Sequence, residues 1–203
     1  MLKRFIEFSV IVTFFVLLSS GCNTLPEHKT SAQPIAVSAG LLAKYHQALT
    51  LMQSGEWQEA SLRLEDITLQ NDHLAGPWLN LGITYAMLGA TDKSEAAFKQ
   101  SVERNPVNPV AYNQLGILYR HLGRYDEART MYEQALRVAP DDLDTHWNLG
   151  ILHDLYLHDS QLALQHYERY QQLTGSDDRQ LHSWIAGLRE GNQTGNMTAG
   201  VKP

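Results

Sequence analysis

Between residues 41 and 176 the same residue types return every 34 positions. One copy carries Tyr112, Leu115, Gly116, Tyr119, Gly123, Tyr125, Ala128, Tyr132, Ala135 and Pro140. The copy before it carries Trp78, Leu81, Gly82, Tyr85, Gly89, Ser94, Phe98, Ser101 and Pro106 at matching offsets. A fixed period of this length describes one supersecondary unit used several times. Each copy buries its apolar face against its neighbours instead of in a shared central core.

The unit can be read from its own residues. Trp78, Leu81 and Tyr85 lie at i, i+3 and i+7, one face of a helix, as do Tyr112, Leu115 and Tyr119. Gly82, Gly116 and Gly150 recur inside that helix, where glycine costs about 1 kcal/mol against alanine, so a close helix approach has to justify them. Ala60, Ala128 and Ala135 are the small counterparts on a second helix. Gly55, Gly89 and Gly123 end the first helix, Asp92 and Asp126 stand where N-caps of the second are expected, and Pro106 and Pro140 stop it. The expectation is an all-α chain of four helix-turn-helix units spanning 41–74, 75–108, 109–142 and 143–176.

This set of positions resembles the tetratricopeptide repeat (TPR) family, and the resemblance implies a right-handed α-solenoid. The terminal copies depart from the pattern, as end repeats do. In the first, Lys44, Gln47 and Ala48 replace the aromatic, Leu and Gly. In the fourth, His146 and His153 take the aromatic positions, one extra residue before Ala163 displaces Tyr167 and Tyr170, and Gly175 replaces the proline. Leu181, Trp184, Ile185 and Leu188 then form an apolar stripe, read as a capping helix over 177–190, with a polar, disordered tail at 191–203.

The N-terminus has a different character. Lys3 and Arg4 precede an apolar run from Phe8 to Leu18, too short for the about 20 residues a spanning helix needs, and Ser19, Ser20 and Gly21 lead to Cys22. Cys22 is the single cysteine of the 203 residues, so no internal disulfide can form. The segment resembles a bacterial lipoprotein signal peptide over 1–21 with Cys22 as the acylated residue, although Ser19 stands where leucine is usual. Asn23 after the cysteine implies outer-membrane sorting. Residues 22–40, with two prolines and small polar residues, read as a flexible tether. Without residues 1–21 the chain holds 14 basic and 21 acidic residues, so lipid rather than charge would anchor it.

Function is constrained mostly by exclusion. The formal charge of -6 leaves no footprint for nucleic acid. No nucleophile elbow, phosphate loop or HExxH is present, so no enzyme activity, cofactor, metal or small-molecule substrate is expected. His146, His153, His158 and His166 are spaced 7, 5 and 8 apart, with no i, i+4 ligand pair; register assigns His146 and His153 to packed, neutral core slots.

The TPR resemblance implies a concave groove lined by the first helices, which takes a protein or peptide partner. The groove positions are Tyr45, Leu79, Asn113 and Trp147; Leu49, Ile83, Ile117 and Ile151; and Met52, Met87, Arg120, His121, Asp154 and Leu155. The aliphatic line at Leu49, Ile83, Ile117 and Ile151 either meets the partner or packs between helices. It stands where chaperone-binding TPRs keep the asparagines of a carboxylate clamp, which disfavours that role. The expected function is a lipid-anchored periplasmic scaffold at the outer membrane that binds a partner protein and assists envelope or pilus assembly. The alternatives are an adaptor in an envelope-spanning transport or energy-transducing machine and a regulator of cell-wall enzymes.

Overall fold

The computed structural model describes residues 38–175 and 177–199, with side chains to Asn192. Cys22, the signal-like segment and the tether up to residue 37 lie outside the described residues. The helices are α1 (Ala39–Gln53), α2 (Trp57–Gln70), α3 (Ala75–Met87), α4 (Thr91–Arg104), α5 (Pro109–His121), α6 (Tyr125–Val138), α7 (Leu143–Ile151), α8 (Ser160–Thr174) and α9 (Arg179–Ala199). A π turn, Leu152–Tyr156, continues α7. Among the described residues there is no strand. The helices pair as α1–α2, α3–α4, α5–α6 and α7–α8, and each pair stacks on the next, which makes the chain an α-solenoid.

What locks each pair is one aromatic ring laid on one glycine. A Cβ built on Gly82 would sit 2.4 Å from the Phe98 ring, one on Gly116 2.4 Å from Tyr132, and one on Gly150 2.4 Å from Tyr167. All three rings are essentially inaccessible to solvent. The first repeat solves the same problem with smaller parts, since Ala48 and Leu64 occupy that register and both are fully buried.

The tight turns also follow the sequence. Gly55, Gly89 and Gly123 adopt φ of 78°, 72° and 74°, the left-handed region open to glycine at no steric cost. In the fourth repeat His158 holds this conformation at φ 54°. It lies eight residues after Gly150, whereas Gly123 lies seven after Gly116, so the extra residue is taken up inside the helix as the π turn. An i→i+5 bond from Leu157 N–H to the Leu152 carbonyl marks the wider turn.

Several boundaries differ from expectation. Asp92 and Asp126 are not caps: Ala90 and Arg124 hold those positions, and the two aspartates sit in the first turn, where they favour the helix dipole. The capping side chains include Ser38, Asn108, Asp142, Asp159 and Asp178, each accepting a backbone N–H two or three residues on. Helix α1 starts at Ala39, inside the range assigned to the tether. Helix α9 runs through Ala199, past residue 190 and through most of the segment expected to be disordered.

The cap itself is built as the apolar stripe implied. Leu181 and Ile185 are buried against Ala163 and Tyr167, with Leu188 alongside, and Arg189 pairs with Glu168 at 2.6 Å.

Candidate protein-binding face

The first helices of the second and third repeats flank an open cleft of ≈ 420 Å³. Ile83 and Met87 of α3 form one wall and Ile117 and His121 of α5 the other, over a floor that includes Phe98 and Leu118. Met87 is 58% exposed. Ile83 and Ile117 pack partly against the core and also line the cleft. An apolar groove with a flexible methionine on its lip suits an apolar peptide segment.

The positions expected to face the groove alongside these residues are largely spent between repeats. Asn113 is buried and accepts a hydrogen bond at 3.0 Å from Asn148 of the next first helix. Tyr45 takes the equivalent bond from Asn80 at 2.6 Å, with its hydroxyl beside Gly76. Leu79 and Ile151 pack against buried clusters. Leu49 is half-buried on α1. Trp147 is half-buried, with Tyr167, Tyr170 and Trp184 around it at ring centroid distances of 5.5, 5.1 and 6.1 Å. Arg120 lies over the Tyr156 ring at 5.9 Å, its Nε buried without a hydrogen-bond partner. Sequence register names which residues face the neighbouring first helix, but the spacing between those helices decides whether they contact it or a ligand.

Charges also stitch one repeat to the next. Glu95 on α4 accepts from Lys99 at 2.6 Å, from Arg124 at 2.7 Å and from the Tyr119 hydroxyl at 3.0 Å. Burial alone would raise its pKa; these three donors overcome that and hold it at about 2. The Tyr85 hydroxyl reaches back to Glu65 in the same manner, 2.5 Å away.

One exposed feature escaped the sequence. Leu69 is 86% exposed beside a recess of ≈ 540 Å³ between α2 and α4, lined also by Trp78, Tyr85 and Lys93. The signal was available in register, because the equivalent residues of the next two repeats are Glu103 and Arg137, the charged residues expected on a solvated face.

His146 and His153 are buried in the aromatic slots, as register assigned them, and His166 of α8 joins them in one cluster; His158 is exposed. Among the described residues no group of three or more His, Cys, Asp or Glu is arranged to hold a metal ion, and no helix is long and apolar enough to cross a membrane.

Tetratricopeptide repeat family profiles match residues 45–109 and 109–174. The chain belongs to the tetratricopeptide repeat family. No curated protein matches its sequence. Among solved structures, the TPR protein TTC0263 of Thermus thermophilus is 21% identical, with a TM-score of 0.63 over 73% of this chain and 80% of that one. PilF of Pseudomonas aeruginosa is 17% identical, with a TM-score of 0.66 over 76% and 69%. The first TPR of Spaghetti (RPAP3), bound to the HSP90 peptide SRMEEVD, is 19% identical, with a TM-score of 0.55 over 60% and 97%. At these identities the likeness establishes the fold. TPR folds are generally non-enzymatic protein-interaction scaffolds, and the present chain has that architecture.

Proposed function

We propose that this TPR protein is an acylated periplasmic scaffold of the outer membrane that holds an apolar segment of a partner protein between α3 and α5, in the service of envelope or pilus assembly. The observation that carries the binding reading is the cleft itself. Ile83, Met87 and Ile117 present an aliphatic surface that the described residues leave open, on the face where the family takes its ligands. Leu49, Ile83, Ile117 and Ile151 at the clamp positions favour an apolar segment over a chain-terminal carboxylate. The solenoid likeness to PilF supports the pilus variant at the level of fold.

Two experiments test the reading. A photocrosslinking amino acid placed at exposed His121 is expected to trap a discrete partner in cells, and Met87→Glu should reduce the adduct at least tenfold, about 1.4 kcal/mol of affinity. Because Met87 is exposed, the unfolding midpoint of that variant should stay at the parent value. An adduct indifferent to Met87→Glu moves the site off the cleft. For the anchor, Cys22→Ser should abolish palmitate labelling and leave a slower-migrating, uncleaved precursor. Labelling and mobility equal to the parent would remove the lipoprotein claim.

A further inference from the structure

The fourth repeat closes over three histidines that the binding face does not use. His146 belongs to α7, His153 to the π turn and His166 to α8, so the cluster sits where the two helices of the repeat meet. His146 Nε2 lies 2.9 Å from the Pro140 carbonyl oxygen. A carbonyl oxygen can only accept, so Nε2 carries the hydrogen, and in neutral His146 the other nitrogen, Nδ1, is an acceptor. That Nδ1 is 3.1 Å from Nδ1 of His166, which therefore donates to it. The pair holds only while His146 is neutral. Protonation puts hydrogens on both facing nitrogens and turns the contact into a repulsion.

His153 adds to the constraint. Its ring stacks on His166 at 5.8 Å with 14° between planes, it is 3% exposed, and its Nδ1 is buried with no partner. In the two preceding repeats its position holds Tyr85 and Tyr119, whose hydroxyls reach carboxylates of the repeat before, Glu65 and Glu95. In the same 34-residue register Glu95 gives way to Arg129 while Glu65 corresponds to Glu133, so His153 has one cation and one anion where the tyrosines each met a carboxylate. Burial is the largest influence on His153 and disfavours its protonation, as does Arg129 of α6, against Asp159 after the π turn and Glu133 of α6, which favour it; at His166 burial is joined by His146 and His153 in disfavouring the charge. Other nearby charges have partners elsewhere, Asp141 with Arg169 and Glu168 with Arg189.

We propose that this cluster is a proton-operated latch: all three imidazoles must be neutral for α7, the π turn and α8 to close, and acidification releases the C-terminal end of the solenoid. The released part is defined by packing. Helix α9 is held on α8 through Ala163 and Tyr167, and the Trp147 ring stacks on Trp184 across the same junction. Burial pulls His166 down to about 4, with His146 and His153 adding to the shift, and burial also lowers His153. Unfolded imidazole titrates near 6.5. The closed repeat thus binds fewer protons than the open one, so its stability is complete above pH 6.5 and lost as pH falls toward 4.

Hydrogen exchange on the full-length protein, corrected for intrinsic rates, reads the latch directly. From pH 7 to pH 5 the opening constant of α8 amides should rise about twentyfold, while amides of α4 and α5 change less than threefold. With Trp57→Phe and Trp78→Phe in place, the remaining Trp147 and Trp184 emission should shift to the red over the same interval. His166→Phe, which keeps a ring and cannot titrate, should flatten both responses, and His146→Gln supplies a second variant should that ring not fit. Equal pH response in α8 and α5, or a response unchanged in whichever variant folds, overturns the proposal.

Discussion

Replacing Gly116 by alanine is expected to lower the stability of the protein by about 3 kcal/mol in a urea titration, although alanine is the better helix former by about 1 kcal/mol. The new methyl would lie 2.4 Å from Cε1 and 2.6 Å from Cδ1 of Tyr132. The ring has nowhere to go: it is fully buried and packed among Leu115, Tyr119, Leu149 and Leu152. Either α5 and α6 separate or the ring leaves its rotamer, and both disturb the stacking of the third repeat on its neighbours. The first repeat supplies the remedy, with Ala48 facing Leu64 in the same register. Tyr132→Leu should therefore rescue Gly116→Ala, with a coupling energy of about 2 kcal/mol in a double-mutant cycle. Additive losses would show that the glycine serves something other than close approach to the ring.

Removing residues 177 to 203, and α9 with them, should cost the last repeat about 3 kcal/mol and make the protein self-associate more than the intact chain does by sedimentation. Leu181 and Ile185 are 3% and 2% exposed, and their burial is worth about 1.5–3 kcal/mol each before the cost of ordering the helix. The truncated end would present Tyr167 and Trp147 side by side, an apolar surface with the shape of a repeat's own stacking face. Solenoids need polar end caps for this reason. A truncated protein that sediments and melts like the intact one would mean that α9 rests on the solenoid without protecting it.

Most of the architecture was legible because a 34-residue recurrence reports both the helix pair and its partners. Gly82, Gly116 and Gly150 announced the close approach, and Gly55, Gly89 and Gly123 announced the tight turns. Asp92 and Asp126 misled because an aspartate one or two positions inside a helix is favoured by the dipole as well as by capping, and composition does not separate the two. The candidate face was only half legible. Ile83, Met87 and Ile117 line the cleft as register implied, whereas Asn113 and Trp147 satisfy themselves against Asn148 and Trp184, partners whose distance depends on how far successive first helices spread. The histidine cluster was hidden because its members come from three elements. Spacing along one helix tests for ligands on one face and is blind to groups that meet across a turn. Leu69 shows the converse: its exposure could be read by comparing it with Glu103 and Arg137, a comparison of departures from the repeat instead of agreements with it.

The π turn places Tyr156 against Tyr125 at the start of α6, 4.9 Å between ring centroids, and under Arg120. Losing a single residue from Leu152–Tyr156 would restore the unbroken 34-residue count. It would also rotate the end of the helix and withdraw that ring from the preceding repeat. Perfect periodicity and a firm grip between the last two units are thus competing goods in this chain, and the odd residue favours the grip.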